Sequence, residues 1–244
     1  THADAIVTLT NMEEPEKRLH DALGDRIAIL PWTMPGFPLA QKVVELYEQQ
    51  PETEAIILLN HGIFTFGESG EHSYERMIHF VTLAEEYITS HQARLVTVPA
   101  NVKPPAEILL PLLRGALTVE KEGGFHRFYL QLRRDKEILD CLAEKNARSC
   151  YESGVLTPDH VIRTKNQPLW LAPPNIDEET IRHTLATELS TYEEWYREYF
   201  RQQVSAKGVT RIRLDCKPRV ILVPGLGLVL SLIHISEPTR LRRI

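Results

Sequence analysis

The sequence contains few cysteines and no long apolar run. Its 244 residues include three cysteines, an odd number whose spacing matches no metal-binding motif: Cys141, Cys150 and Cys216. We expect reduced thiols that serve packing, as in a cytoplasmic protein. No apolar stretch approaches the roughly 20 residues that cross a bilayer, and no signal peptide is visible. We therefore expect no association with a membrane.

Neither sign of charge is in large excess. Lys and Arg total 28 against 33 for Asp and Glu, which gives a net charge of −5, and 43% of the residues are hydrophobic. A nucleic-acid surface needs clustered positive charge to displace counterions from phosphates. The composition therefore predicts an ordinary soluble globular protein without a nucleic-acid partner.

Both ends of the chain are unusual. Thr1 leads directly into a strand-like run, Ala5–Leu9, so we expect that an upstream segment of the parent protein is missing. Residues 231–244 resemble translated sequencing-adapter DNA, and we predict that they are an artefactual tail. The alternative is a genuine basic terminal segment.

Strands and helices alternate along residues 1–98, which predicts an α/β layered domain. The run from Ala55 to Leu59 is continuously apolar, as expected for a strand that is covered on both faces. The predicted elements are, in order, the strands Ala5–Leu9 and Ile27–Leu30, the helix Leu39–Gln49, the strands Ala55–Leu59 and Ile63–Phe66, and the helix Glu71–Gln92.

Three prolines between Val98 and Pro105 mark the best domain boundary, so we assign residues 99–230 to a second α/β region. Its predicted elements are the helices Glu107–Leu113, Arg134–Tyr151 and Asp177–Gln203 and the strand Arg219–Val223. The last helix carries aromatic residues at helical spacing, which is typical of a core or an oligomer contact.

Two histidines stand where ligands gather in α/β proteins. His61 follows the apolar strand and is flanked by Asn60 and by Gly62, which allows close approach of other groups. His2 lies just before another predicted strand. Neutral imidazole is a common zinc ligand, but from the residues alone a structural histidine is the commoner alternative.

Two motifs carry a resemblance to a known family. Thr1–Ala5 and the run from Leu58 to Gly67 resemble the class II aldolase/adducin family, in which a His-x-His pair and a third histidine in an Asn-His-Gly turn hold a metal ion. The resemblance implies that His2 is the second and His61 the third ligand of Zn²⁺ or another divalent cation. The first ligand, the catalytic base and the phosphate-binding loop would lie upstream of Thr1, so we expect the fragment itself to be inactive.

Four further segments narrow the resemblance to bifunctional rhamnulose-1-phosphate aldolase/short-chain dehydrogenase proteins: Arg26–Leu39, Glu75–Glu86, Thr157–Lys165 and Pro218–Leu228. This similarity implies retro-aldol cleavage of rhamnulose 1-phosphate to dihydroxyacetone phosphate and lactaldehyde. It also implies a homo-oligomer whose NAD-dependent domain follows this chain.

The second region contains basic residues that are candidates for binding an anionic substrate. His160 lies near Arg163 and Lys165, and the two basic residues alternate on a predicted strand, so the three could bind phosphate or carboxylate. A solvated strand face is an equally good interpretation. Gly225-Leu226-Gly227 is too short for a dinucleotide fingerprint, because Leu230 stands where the third glycine is needed.

Two rival functions remain open at this stage. Adducin shows that the same fold can serve as a non-catalytic binding module, although such a module would have no need for His2 and His61. A short-chain dehydrogenase would need a Rossmann domain, and the chain contains neither the full glycine motif nor a Tyr-x-x-x-Lys pair. The sequence therefore favours a metal-dependent lyase.

Overall fold

The described chain packs into two units. The computed structural model describes residues 1–92, 96–121 and 124–232, with only the backbone of Lys121, Pro158, Asp159 and Leu232. Within these ranges the first unit contains residues 1–92 and 156–161, and the second contains residues 96–155 and 162–232.

From Ile27 onward the first unit has the predicted order of strands and helices. Its elements are α1 (Asp4–Thr10), α2 (Pro15–Leu23), β1 (Ile27–Leu30), α3 (Phe37–Gln49), β2 (Ala55–Leu58), β3 (Gly62–Thr65) and α4 (Gly70–His91). The sheet has the order β1-β2-β3, in which β1 and β2 are parallel and β2 and β3 are antiparallel.

The small sheet of the first unit is covered by helices on both faces. On one face Ile27, Ala55, Ile57 and Ile63 pack with buried residues of α1, α2 and α4. On the other face Ala28, Leu30, Ile56 and Leu58 pack with Leu39, Val43 and Leu46 of α3. All four residues of β2 are buried, which confirms a strand covered on both faces. The α/β layered fold is therefore confirmed, and it has three layers.

The prediction of a strand at Ala5–Leu9 is wrong, because these residues belong to helix α1. Ile6, Val7 and Thr8 are β-branched and therefore typical of strands. In the structure Ile6 and Leu9, three positions apart, are fully buried in the same core as Phe80 of α4. Tertiary packing on a helical face therefore outweighs the local strand preference.

The second unit contains a four-stranded sheet and a separate hairpin. Its elements, with α8 extending across residues of both units, are α5 (Ala106–Leu117), β4 (Val119–Lys121), β5 (Gly124–His126), β6 (Tyr129–Arg133), α6 (Lys136–Leu142), α7 (Ala147–Glu152), α8 (Pro158–Thr164), β7 (Leu169–Trp170), α9 (Glu178–Lys207), β8 (Val220–Val223) and β9 (Gly227–Leu232). None of the helices in the described ranges is both long and apolar enough to cross a bilayer.

The four-stranded sheet has the order β6-β9-β8-β7 and also lies between helices. Buried leucines of α5 and α9 pack on one face against Ile221, Val223 and Val229. On the other face Leu142 of α6 and Tyr151 of α7 pack against Leu222, Leu228 and Leu230. The second α/β region is therefore confirmed. Its Pro-Gly-Leu-Gly segment forms the turn of the antiparallel hairpin β8–β9.

Two boundaries in the second unit differ from the predictions. The helix predicted over Arg134–Tyr151 is divided into α6 and α7. Strand β9 runs to Leu232, so the first two residues of the predicted tail pair with β6, and Ser231 Oγ donates to the carbonyl of Pro218 at 2.6 Å. The rest of the predicted tail, residues 233–244, lies outside the described residues.

The segment Thr157–Lys165 contains a helix instead of the predicted strand. The Thr157 hydroxyl accepts a hydrogen bond from the His160 amide at 3.3 Å, and proline stands at the first helical position. Both features favour the start of a helix. The strand prediction missed this signal because it relied on alternating basic residues.

All three cysteines are free, in agreement with the expected reduced state. Cys141 and Cys150 are exposed, so the packing role that we expected is wrong for these two residues. Their helices, α6 and α7, bury other residues against the sheet.

The core of the second unit provides a stability prediction. Leu113 is fully buried, and Leu113→Ala should lower the free energy of unfolding by about 2–5 kcal/mol because it leaves a cavity among α5, α9 and the sheet. Leu214 is 55% exposed, so Leu214→Ala should change stability by less than about 0.5 kcal/mol. Urea unfolding of both variants checks this contrast, and equal losses would contradict the packing described.

Candidate metal centre

His61 lies in a tight turn between β2 and β3 that is anchored on the end of α1. Asn60 adopts a left-handed conformation with φ of 57°, which asparagine tolerates better than most residues. Its side-chain amide donates to Asn11 Oδ1 at 2.8 Å and to the Thr10 carbonyl at 3.4 Å. The His61 amide donates to the Leu58 carbonyl at 3.1 Å. These bonds fix the position of the His61 backbone at the end of the apolar strand.

His2 reaches the same place through backbone pairing beside β3. The Ile63 amide donates to the Thr1 carbonyl at 3.0 Å, and the Thr1 nitrogen donates to the Ile63 carbonyl at 2.7 Å. The two imidazole rings consequently lie side by side, with centroids 5.1 Å apart and planes inclined by 36°. Fifty-eight residues separate the two histidines in sequence, so the fold has brought them together.

Gly62 allows this close approach. Its φ is +156°, and a Cβ atom built there would lie 2.1 Å from the Thr1 carbonyl oxygen and 3.3 Å from the His2 Cα. Any larger residue would have to displace the backbone that carries His2. The expected role of glycine beside His61 is thus visible in the geometry.

Burial and neighbouring groups favour the neutral form of His61. Burial lowers the pKa of His61, and the nearby His2 ring and Thr1 amino group lower it further. Neutral imidazole is the form that binds metal ions. Both rings remain partly exposed, so a small ligand can reach them.

The chemistry of this pair fits a divalent cation of the zinc type, which favours imidazole nitrogen. Within residues 1–92, 96–121 and 124–232, no cluster of three or more histidine, cysteine or carboxylate side chains could hold a metal ion. A cation at His2 and His61 would therefore need other ligands, such as substrate oxygens or water. The metal role of both histidines stays a prediction.

The strand that we predicted directly after His2 is helix α1. His2 precedes helix α1 and is not on a regular strand, so alternation along a strand does not orient its ring. The rings meet because Thr1 pairs with Ile63. Sequence reasoning named Asn60 as a neighbour of His61 but did not predict its contact with Asn11. A polar residue that tolerates a positive φ directly before His-Gly was the available signal for Asn60.

The basic residues proposed for anion binding have different environments. His160 and Arg163 lie on α8, where His160 Nδ1 is 2.6 Å from Thr157 Oγ1 and Arg163 is exposed. Lys165 follows the helix with a φ of 69° and is 2% exposed. The structure therefore supplies no common surface for Arg163 and Lys165 of the kind that a strand would give.

The ammonium group of Lys165 is turned toward protein atoms. It donates to the backbone carbonyls of Asp215, at 2.6 Å, and of Lys217, and lies 4.3 Å from the centroid of the Tyr196 ring. Burial is the main reason that the pKa of Lys165 falls to about 8. Arg219 lowers the pKa as well, whereas Asp215 opposes the change. Lys165 therefore holds the segment before β8 in place, which does not favour its predicted role in anion binding.

Comparison with protein families agrees with this fold. The family described as class II aldolase and adducin N-terminal domain matches residues 1–88, and the family described as aldolase class II, second domain, matches residues 104–231. The chain belongs to the class II aldolase/adducin family. The boundary that we placed after residue 98 falls between the two matched ranges.

Individual relatives are similar to parts of this chain. An uncharacterized oxidoreductase of Bacillus subtilis (strain 168), YuxG, is 27% identical over 241 residues, which cover 94% of this chain. The chain spans 34% of the length of that relative. The N-terminal class II aldolase domain of a conserved protein from Thermoplasma acidophilum is 37% identical, with a TM-score of 0.33, over 36% of this chain and 39% of that one.

The close approach at Gly62 is testable by adding one methyl group. Gly62→Ala should lower the free energy of unfolding by about 1–3 kcal/mol, because the new Cβ overlaps the Thr1 carbonyl and the φ disfavours alanine. Gly70 has open space around its Cβ position, so Gly70→Ala is a matched control that should not destabilise the protein. Chemical denaturation measures the free energy of unfolding of both variants. A Gly62→Ala variant as stable as the parent would disprove the packing at Thr1.

The buried Lys165 predicts a pH dependence of stability. Because the pKa of Lys165 is about 8 in the folded protein and near 10.5 when unfolded, the unfolded state binds more protons between these values. Stability should therefore rise with pH in this window, relative to Lys165→Met, by an amount on the order of 2 kcal/mol. Lys136 is exposed, so the stability of Lys136→Met should have the same pH dependence as that of the parent protein. The free energy of unfolding is measured by denaturation at several pH values from 7.5 to 10. The same pH dependence in the parent and in Lys165→Met would contradict a lowered pKa of Lys165.

Proposed function

We propose that this chain carries two metal ligands, His2 and His61, of a class II aldolase that cleaves a ketose 1-phosphate. The observation that supports the proposal most is the contact of the two imidazole rings, with centroids 5.1 Å apart, in a chain of this family. The Asn-His-Gly turn and the backbone pairing of Thr1 hold the rings together before any ligand arrives. Such preorganisation lowers the cost of binding a cation.

The proposed reaction is the retro-aldol cleavage of rhamnulose 1-phosphate to dihydroxyacetone phosphate and lactaldehyde. A divalent cation would supply Lewis acidity at the carbonyl oxygen of the ketose, beside the carbon–carbon bond that breaks. His2 and His61 would hold the cation there, and Asn60 and Gly62 keep the two rings next to each other. The general base that takes the hydroxyl proton is expected outside this chain, as the family resemblance implies.

The name of one relative supports a second activity in a longer protein. YuxG of Bacillus subtilis is called an oxidoreductase, and this chain is similar to about a third of it. We propose that an NAD-dependent region beyond this chain would oxidise the lactaldehyde released by the lyase region. The free cysteines are consistent with a reducing, cytoplasmic compartment for such a protein.

The alternative of a non-catalytic binding module is less well supported. A module of the adducin type needs the fold but not a pair of adjacent imidazoles, and here Gly62 and Asn60 are used to bring the rings together. If the full gene product that carries this chain binds no divalent cation, the binding module becomes the better interpretation.

Metal binding tests the role of the histidine pair. We expect that His61→Ala and His2→Ala each weaken Zn²⁺ binding by at least about tenfold, measured by isothermal titration calorimetry, because each removes one of two imidazole ligands. His79 is exposed on α4, and His79→Ala is the matched control that should retain the affinity of the parent. Unchanged binding after His61→Ala would exclude the assignment.

Substrate cleavage tests the reaction class. Release of dihydroxyacetone phosphate from rhamnulose 1-phosphate should be measured on this chain and on the full gene product that carries it. We expect metal-dependent release from the full product that His61→Ala reduces by at least about a hundredfold, since a metal ligand supports the rate-limiting step. Equal release with and without His61 would show that the lyase reaction does not use this site.

A further inference from the structure

An open cavity lies beside the hairpin β4–β5 in the second unit. Its volume is about 410 Å³, within the range of small-molecule sites. Helix α5 supplies one wall and the hairpin with the residue after it supplies the other. The lining residues are Pro111, Arg114, Gly115, Thr118, Phe125 and Arg127. No function has been assigned to this cavity above.

The charge of the cavity is positive. Among the described residues, six line the cavity; two of these are arginines and none is acidic, although the chain as a whole has a net charge of −5. Neither arginine forms an ion pair with a carboxylate in the described part of the chain. Arg114 uses Nε to donate to the Phe128 carbonyl at 3.2 Å, which orients its guanidinium and leaves the two terminal nitrogens available. Arg127 is exposed.

The remaining lining is apolar, with one hydroxyl group. Phe125 is 64% exposed, an unusual position for a phenyl ring, and Pro111 adds a second apolar surface. The Thr118 hydroxyl donates to the Arg114 carbonyl at 3.0 Å and can still accept a hydrogen bond from a ligand. Glu120 pairs with Phe125 across the hairpin but does not line the cavity.

We propose that this cavity binds a small, water-soluble phosphomonoester through Arg114 and Arg127, with the carbon skeleton of the ligand against Phe125. Guanidinium groups match phosphate oxygens with paired, charge-assisted hydrogen bonds. A phosphomonoester brings up to two negative charges to two arginines and a polyol body to the apolar wall. The proposal concerns the second unit and does not depend on a metal ion at His2 and His61.

Calorimetric titration of the whole chain with ribose 5-phosphate tests the proposal. We expect saturable binding of ribose 5-phosphate and none of ribose. Arg127→Gln should weaken binding at least about tenfold, because it removes a charge-assisted hydrogen bond to the phosphate. Arg211 is exposed and does not line the cavity, so Arg211→Gln, with the same loss of charge, should bind as the parent does. Equal affinity of Arg127→Gln and parent would overturn the proposal.

Further variants separate the contributions of charge and ring. Arg114→Gln should also weaken binding of ribose 5-phosphate. Because Arg114 donates to the Phe128 carbonyl, the melting temperature of Arg114→Gln is measured together with its affinity. Arg127→Gln should have the melting temperature of the parent. Phe125→Ala should weaken the binding of ribose 5-phosphate but leave the affinity for inorganic phosphate unchanged. His61→Ala should leave both affinities unchanged, so that loss of the proposed metal site and loss of this cavity are distinguishable. Binding that required His61, or that ribose matched, would contradict the assignment.

Discussion

The backbone pairing of Thr1 with Ile63 is the contact on which the candidate metal centre depends. It forms because Gly62 has no Cβ, since a methyl group there would lie 2.1 Å from the Thr1 carbonyl oxygen. Asn60 supports the same turn from the other side through Asn11 at the end of α1. Two imidazoles that are remote in sequence thereby become neighbours, and burial favours the neutral form of His61. The two rings are adjacent without a bound ligand, as expected of a preorganised site.

Much of the first unit could be predicted from apolar patterns. A strand that is buried on both faces needs a continuous apolar run, as in Ala55–Leu58. A helix that is buried on one face needs apolar residues at helical spacing, as in Gly70–His91. The segment Asp4–Thr10 could not be predicted in the same way. Its β-branched residues favour a strand, and the packing of Ile6 and Leu9 beside Phe80, which makes it a helix, is a long-range contact. Local preference is a weak guide to a short, fully buried segment.

The site was predictable in part for a similar reason. His61 was identifiable because it follows a buried strand and precedes glycine, and His2 because of a family resemblance. The proximity of the two rings could not be predicted, since it depends on the backbone pairing of Thr1 with Ile63. Lys165 shows the reverse error. Its charge suggested a ligand site, but the structure buries it against the carbonyls of Asp215 and Lys217.

The central claim is that His2 and His61 share one cation, and nuclear magnetic resonance of the histidine ring nitrogens during Zn²⁺ titration tests it most directly. The account predicts that the ring resonances of His2 and His61 change together and saturate at the same ratio of metal to protein, while those of exposed histidines such as His79 do not change. If the two rings responded at different metal concentrations, or if only one responded, the shared site would be ruled out.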